Sequence, residues 1–369
     1  MNRHIETVII GAGQAGLATG YHLQRRGRPF VILDANHRVG DGWRQQWDSL
    51  LLYSPAKYDG LPGMPFPARK WSYPGKDEVA DYLESYATQH GLPIELGTRV
   101  RRLETTPSGY LVTTARDAIE CENVVVATGT FGRAPNVPGF ARELDPSILQ
   151  LHSSEYRRPA QLNDGAVLVV GASHSGTDIA YEVAQTHPTT LCGRDCGSIP
   201  FRPGSKPARL IFPLVVFAWK HILTRKTPIG RKMMPHIRHH GAPMLRVKRS
   251  DLVRRDVQRI EQRVVGVRDG LPALADGTTL DVRSVVWCTG FRQAFDWIDV
   301  PVVGEDGWPD ELRGVVPSAP GLYFCGLAFQ YAFSSMVLPG VGRDADYLAR
   351  HIATRAGSAE SATTPAQAA

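Results

Sequence analysis

The chain has 369 residues, a formal net charge of +6, 43% hydrophobic residues and 21% charged residues. This is enough for two globular domains with a sizeable core. No run reaches the roughly 18–20 uninterrupted apolar residues of a membrane span, and the polar start predicts no secretory signal. The five cysteines lack framework spacing, which predicts a reducing, cytoplasmic location.

The first predicted element is a strand over Thr7–Ile10, followed by a glycine-rich loop and a helix-like segment. The loop has the pattern GxGxxG at Gly11, Gly13 and Gly16, and the next strand-like run ends at Asp34, 23 positions after Gly11. In a dinucleotide-binding βαβ unit, such glycines allow a tight turn, close approach of the pyrophosphate and close helix packing. The acid accepts hydrogen bonds from a ribose diol, so this unit predicts an FAD site.

A similar unit recurs 160 positions later, with Gly171 and Gly176 in the places of the first and third glycines. Ser173 replaces the middle glycine, and its hydroxyl is a candidate donor to a phosphate oxygen. Arg194 stands where the first unit has its acid. A guanidinium binds a ribose 2′-phosphate that a carboxylate would repel, so the second unit predicts NADPH binding.

Two further runs extend the repeat: "VVVATG" ends at Gly129 and "VVWCTG" at Gly290. They suggest that the second unit is inserted into the first domain. We therefore predict an α/β fold with two Rossmann-like dinucleotide-binding domains. The predicted parts are an FAD domain over 1–161 and 282–354, an inserted NADPH domain over 162–281 with a basic and apolar insertion at about 200–260, and a disordered tail over 355–369.

The region from Phe201 to Arg263 is strongly basic, with sixteen Lys or Arg against three acids. A polyanionic partner or a basic face around the NADPH phosphate would both explain it. No nucleic-acid recognition fold accompanies the charge, so nucleic acid is not an expected partner. Within this region, 208–226 is apolar but short and interrupted by Pro213. Two interpretations stay open: a wall of a substrate tunnel, or an anchor lying on an anionic membrane.

With these motifs in view, the chain resembles the class B flavoprotein monooxygenases. These comprise the flavin-containing monooxygenases, the plant indole-pyruvate monooxygenases and the Baeyer–Villiger enzymes. The resemblance covers about residues 5–353 and includes both dinucleotide loops, the Trp-containing loop from Gly40, "CTGF" at Cys288 and the stretch from Gly321.

One family stretch is degenerate. His152 and Tyr156 match it, but Pro146 and Ile148 occupy the positions of Phe and Gly. Tyr156 in place of Trp favours the flavin-containing branch over typical Baeyer–Villiger enzymes. A hydrogen-bonded core histidine at a domain junction is an equal alternative to a functional role for His152.

The motifs and the resemblance together predict two sets of binding residues. The FAD set is Gly11, Gly13, Gly16, Asp34, Trp43, Ser54, Thr128, Gly129, Gly290 and Gly326. The NADPH set is Gly171, Ser173, His174, Ser175, Gly176 and Arg194. The resemblance implies that the flavin carries the chemistry, and no catalytic side chain or metal site is predicted.

The function implied is that of an NADPH- and O₂-dependent monooxygenase. It would insert one oxygen atom into a small lipophilic organic substrate through a C4a-(hydro)peroxyflavin. The alternatives are a Baeyer–Villiger monooxygenase, an FAD-dependent NAD(P)H reductase that passes electrons to a partner, and a non-enzymatic, membrane-associated flavin redox sensor. Residues 35–60 contain no cysteine, which argues against a disulfide reductase. The sequence leaves the oligomeric state open.

Overall fold

A computed structural model describes residues 3–129 and 134–363, with side chains described up to residue 356. The elements up to the first crossover are β1 (Arg3–His4), β2 (Thr7–Ile10), α1 (Gln14–Gln24), β3 (Phe30–Leu33), α2 (Asp41–Arg44), α3 (Lys76–Gln89), β4 (Ile94–Glu95), β5 (Arg102–Thr106), β6 (Gly109–Thr113), β7 (Ala118–Cys121), β8 (Asn123–Val126) and β9 (Ala134–Pro135).

The middle of the chain contains β10 (Leu149–His152), β11 (Val167–Val170), α4 (His174–Val183), β12 (Thr189–Cys192), α5 (Lys206–Phe217), α6 (Pro228–His239), α7 (Arg249–Val253), β13 (Gln258–Ile260), β14 (Val264–Arg268), β15 (Leu271–Leu274) and β16 (Ser284–Trp287). A π-helical segment over Ala218–Ile222 extends α5. The last elements are β17 (Phe291–Arg292), β18 (Ile298–Asp299), β19 (Leu322–Phe324) and α8 (Leu338–Thr363).

The first domain is built on a five-stranded parallel sheet in the order β19-β8-β2-β3-β4. Successive side chains of each strand point to opposite faces of the sheet, and a hydrophobic core covers each face. Ile9 and Val125 pack in the core formed with α1, α3 and α8. Val8 and Val124 pack in the core shared with a second sheet, ordered β1-β7-β6-β5-β18. The predicted strand over Thr7–Ile10 is confirmed.

The second domain has its own parallel sheet, ordered β10-β16-β11-β12-β13. Strand β16 pairs with β11 in register from Val167 opposite Ser284, and β10 pairs with β16. The predicted boundaries at 162 and 281 are therefore too narrow, because strands on both sides of them belong to this sheet. The run ending in Gly129 contains the end of β8, and the run ending in Gly290 contains the end of β16. Each run therefore belongs to the parallel sheet of its own domain, which explains the repeat.

The chain crosses between the domains twice, at neighbouring places. Strands β9 and β17 pair antiparallel. The backbone N–H of Asn136 donates to the carbonyl of Gly290 over 3.0 Å, and the Asn136 side-chain amide donates to the carbonyl of Thr289 over 3.2 Å. These bonds join the outgoing and returning segments, so the second domain is an insertion held by a paired connection.

The C-terminal helix is longer than predicted. Helix α8 continues to Thr363, whereas a disordered tail is predicted from residue 355; residues 364–369 lie outside the described residues. Within residues 3–129 and 134–363, no helix is long and apolar enough to cross a membrane.

Candidate active site

The first glycine-rich loop connects β2 to α1 in the conformation that its sequence predicts. Gly11 has φ +111°, a value that favours glycine. A Cβ at Gly16 would lie 1.8 Å from the carbonyl oxygen of Gly11, whereas one at Gly13 would meet nothing within 4 Å. The loop therefore requires glycine at 16 for packing, and the space in front of Gly13 is open to a ligand.

Asp34, directly after β3, lies against this loop. Its Oδ2 accepts a hydrogen bond from the backbone N–H of Ala12 over 2.6 Å. Its Oδ1 accepts from the backbone N–H of Asn36 over 2.7 Å. Oδ1 also accepts from the side-chain amide of Asn36 over 2.9 Å, so the remaining lone-pair capacity lies on Oδ2. Asp34 can therefore hold the loop and accept a ribose hydroxyl at the same time.

Two more members of the predicted FAD set border this loop. The Cα of Thr128 would lie 3.3 Å from a Cβ at Gly11, and a Cβ at Gly326 would lie 2.8 Å from that of Ala15 on α1. The Oγ1 atom of Thr128 is buried and has no hydrogen-bond partner in the described segments. A buried hydroxyl without a partner is costly, and a flavin nucleotide beside the loop would supply one. These residues fit FAD.

The second loop repeats this geometry. Gly171 has φ +109°, and a Cβ at Gly176 would lie 1.7 Å from the carbonyl oxygen of Gly171. Ser173 behaves differently from the prediction, because its hydroxyl donates to the carbonyl of Ala242 over 2.8 Å. The hydroxyl hydrogen of Ser173, predicted as a candidate donor to a phosphate, is therefore donated to the segment after α6 in this structure.

The two helices that follow the loops have N-termini without side-chain caps. Among the residues that the structure describes, no side chain caps the start of α1 or α4, where Gly13 and Ser173 are the N-cap residues. In contrast, Ser205 caps α5 and Thr227 caps α6 through their side chains. Uncapped N–H groups at a helix N-terminus are suited to anions, which agrees with a pyrophosphate at each loop.

Arg194 follows β12 as Asp34 follows β3, and its side chain is exposed. Among the described residues, no ion pair involves Arg194, while its neighbour Asp195 binds Arg249 over 2.6 Å. Gly290 follows β16, a strand of the second sheet, and the carbonyl oxygen of Cys288 would lie 2.3 Å from a Cβ at Gly171. The structure thus places Gly290 at the crossover near the second loop, and its assignment to FAD stays a prediction.

The loop from Gly40 to Lys76, here called the flavin loop, contains Trp43 and Ser54. Trp43 is half-buried and contacts the apolar cores of both domains. Ser54 is buried and donates to Oδ1 of Asp59 over 2.5 Å. Asp59 is fully buried, and its Oδ2 has no partner among residues that the structure describes. Burial raises the pKa of Asp59 to about 7.

The flavin loop and the second nucleotide loop meet through Tyr53. The ring of His174, at the start of α4, lies edge-on to the Tyr53 ring with centroids 5.1 Å apart. Burial lowers the pKa of His174 to about 4, so the imidazole is neutral at physiological pH. His174 therefore faces the flavin loop as a neutral group and adds no charge toward a phosphate. Ser175 lies next to it in the first turn of α4.

A buried polar group on α4 extends this contact and was missed by the sequence analysis. The Tyr53 hydroxyl donates to Oδ2 of Asp178 over 3.1 Å, and Asp178 lies 3.4 Å from Arg246. Arg246 also donates to the carbonyl of Ser49 in the flavin loop over 3.2 Å. An aspartate among the apolar residues of α4 is a sequence feature that could have pointed to this group. Its partners, however, come from segments that are remote in the sequence.

His152 lies at the crossover, where both ring nitrogens are engaged. Its Nδ1 is 2.8 Å from the Ser154 hydroxyl and its Nε2 is 2.9 Å from the carbonyl of Gly290. The ring packs edge-on against Phe291. Of the two interpretations of His152, these contacts favour a structural residue of the domain junction.

Comparison with known proteins now identifies the family. The family described as pyridine nucleotide-disulphide oxidoreductase matches residues 8–198, which is more than half of the chain and includes both loops. A protein of Geobacillus kaustophilus named "Uncharacterized oxidoreductase CzcO-like" is 36% identical over 95% of this chain and 99% of its own length. The chain belongs to the pyridine nucleotide-disulphide oxidoreductase family.

Within this family, the similarity extends to monooxygenases. A probable indole-3-pyruvate monooxygenase of Arabidopsis thaliana is 28% identical over 94% of this chain and 88% of its own length. The structure of a flavin-containing monooxygenase from Stenotrophomonas maltophilia has a TM-score of 0.72 and 27% identity, and the match covers 96% of this chain and 99% of that one. These matches confirm the resemblance to class B flavoprotein monooxygenases, the α/β fold, and an FAD-dependent oxidoreductase with FAD and NADPH as cofactors.

The description of the family includes disulphide chemistry, and the cysteines in the described segments form no disulfide. All five cysteines lie in the described segments and are free. Cys192 is buried and donates to the carbonyl of Gln262 over 3.0 Å, while Cys196 is partly exposed in the segment after β12. Burial raises the pKa of Cys288 to about 12 and that of Cys325 to about 12. Neither thiol is a ready nucleophile.

Proposed function

We propose that this protein is an NADPH- and O₂-dependent monooxygenase that transfers one oxygen atom to a small lipophilic organic molecule. The observation that carries the proposal is the contact between the flavin loop and the second nucleotide loop at Tyr53 and His174. This contact brings the flavin loop against the loop that would hold NADPH, an arrangement that would allow hydride transfer and later shielding of the flavin. The free, mostly buried cysteines argue against a thiol as electron acceptor, which favours O₂.

The residues of the chain have three tasks in this proposal. The loop at Gly11 and the carboxylate of Asp34 hold the flavin nucleotide, and Thr128 donates its unpaired hydroxyl hydrogen to it. The loop at Gly171, with Arg194, holds NADPH and selects its 2′-phosphate. When bound, FAD accepts a hydride and reacts with O₂, chemistry that no side chain supplies.

The third task is exclusion of water around the flavin. Trp43, Tyr53 and His174 lie where the two domains meet, and a neutral His174 adds no charge to that contact. A dry, closed site favours oxygen transfer to substrate over release of hydrogen peroxide. The proposal includes oxygen transfer through a C4a-(hydro)peroxyflavin, as the family resemblance implies. It also includes a cytoplasmic location.

The test is a balance of oxygen atoms. FAD-bound protein is mixed with NADPH and ¹⁸O₂ in the presence of sulfides, amines, ketones and 2-oxo acids. We expect one product to gain one ¹⁸O atom per NADPH oxidised, with little hydrogen peroxide. An ester formed from a ketone would identify the Baeyer–Villiger alternative. Stoichiometric hydrogen peroxide with every compound would favour the reductase, and absence of NADPH oxidation would favour the redox sensor.

A further inference from the structure

Helix α5 is apolar on two sides. Ala208, Phe212 and Val216, spaced by four residues, are buried, and the Phe212 ring lies 5.6 Å from that of Tyr58 in the flavin loop. The opposite side bears Leu210, Leu214 and Phe217, which are 80%, 68% and 56% exposed. We call these three side chains the α5 apolar face. A helix that is apolar all round is normally enclosed, but nothing in the described structure covers this face.

The sequence around the α5 apolar face is strongly basic. Lys206 and Arg209 are exposed on the same helix, and Lys226, Arg231 and Lys232 are exposed at and before the first turns of α6. From Phe201 to Ser250 the sequence has twelve Lys or Arg and no Asp or Glu. Exposed apolar side chains flanked in sequence by exposed cations, in a stretch of 50 residues without an acid, are complementary to a surface with negatively charged headgroups over an apolar interior.

We propose that the α5 apolar face docks on an anionic lipid bilayer, with the helix lying in the plane of the interface. The apolar side chains would enter the boundary of the acyl chains, and the flanking cations would pair with lipid phosphates. A second copy of the chain fits poorly, since a symmetric contact would bring two basic regions of 201–250 together. The apolar length is too short to span, in agreement with an interfacial position.

Docking through this face would bring the lipid surface close to the flavin loop. The buried side of α5 contacts Tyr58, and the segment after the π-helix joins the C-terminal part through a hydrogen bond from the N–H of Arg225 to the carbonyl of Tyr331 over 2.8 Å. The helix therefore separates the bilayer from the loop that carries Ser54 and Asp59. This inference does not rest on the proposed monooxygenase activity, and its test needs no turnover.

The experiment is co-sedimentation of the full-length, FAD-bound protein with vesicles. Vesicles of phosphatidylcholine alone are compared with vesicles containing phosphatidylglycerol, at low and at high salt. We expect binding to the anionic vesicles at low salt and release as salt rises, because surface charges are screened within about 10 Å at 0.1 M salt. Failure to bind anionic vesicles at low salt would overturn the proposal.

Variants separate the apolar contribution from the charge. The triple variant Leu210→Ser, Leu214→Ser and Phe217→Ser should need about tenfold more lipid for half-maximal binding, with unchanged FAD content since the three side chains are exposed. The matched control is Val265→Ser, which removes a side chain that is 54% exposed on β14 and should bind as the parent protein does.

Reversal of two charges, Lys206→Glu with Arg209→Glu, should abolish binding to anionic vesicles. Equal binding by the triple serine variant and the parent would show a purely electrostatic attraction and overturn the proposal. Sedimentation velocity tests the alternative that a second copy of the chain covers this face. A dimer that disappears in the triple variant, without vesicle binding by the parent, would assign this face to a second copy of the chain.

Discussion

The hydroxyl of Tyr53 donates a hydrogen bond to Oδ2 of Asp178 over 3.1 Å and so joins the flavin loop to the helix of the second nucleotide unit. Asp178 is 1% exposed, and its second oxygen has no hydrogen-bond partner among described residues. Burial raises the pKa of this carboxyl group, while Arg246 opposes the rise. The domain contact thus depends on a few buried polar groups in addition to apolar packing.

Tyr53→Phe should weaken this contact while keeping the ring against His174. Loss of the donor to a buried carboxylate should reduce the free energy of unfolding by about 1–3 kcal/mol. It should also increase hydrogen peroxide released per NADPH, because the domains close less tightly on the flavin. Tyr110→Phe, which removes a 3.1 Å bond to the carbonyl of Pro320 within the first domain, is the control. Equal peroxide release by both variants would contradict a role of Tyr53 at the domain contact.

Asp34→Ala should weaken retention of FAD. The variant loses both the acceptor for a ribose hydroxyl and the bond to the N–H of Ala12 that holds the loop, at a cost of about 1–3 kcal/mol in binding free energy. Flavin fluorescence of the protein after dialysis measures the loss. Asp145→Ala, at an exposed turn remote from the loop, should keep its FAD. Full retention by the Asp34 variant would leave this residue a structural acid only.

Arg194→Ala should raise the KM for NADPH and leave that for NADH almost unchanged. A charge-assisted contact of about 1.5–3 kcal/mol corresponds to about 10- to 150-fold in affinity. Steady-state NADPH and NADH oxidation measures the ratio, and Arg268→Ala on β14 is a control that changes the same charge elsewhere. An equal effect on both coenzymes would remove the assignment of the 2′-phosphate to Arg194.

Asp59→Asn should change how stability depends on pH. The pKa of Asp59 is raised from 3.8 to about 7, so between these values the folded protein binds more protons than the unfolded chain. The free energy of unfolding therefore falls as pH rises through this window, by up to about 1.4 kcal/mol per pH unit from this group. The variant has no such group. Thermal unfolding at pH 5 and pH 7.5 should show the variant gaining relative to the parent protein at the higher pH. A difference independent of pH would show that Asp59 is ionised when folded.

Local sequence patterns were enough to predict the two nucleotide units. The strand over Thr7–Ile10 was predicted with the observed bounds. The glycines at 16 and 176 were predicted at positions where a Cβ would lie within 2 Å of a backbone oxygen. Local rules suffice here, since a tight turn, a glycine and a helix start lie within a few residues of one another.

The domain boundaries and the contact between the domains depend on packing between remote segments. Strands β10 and β16 lie outside the predicted second domain and belong to its sheet, because pairing between remote segments leaves no local signal. The hydroxyl of Ser173 is taken by Ala242, and the partners of Asp178 come from residues 53 and 246. The exposure of one side of α5 likewise depends on which neighbours fold against it. Burial and charge pairing are properties of the packed chain, and hydrophobic periodicity alone does not specify them.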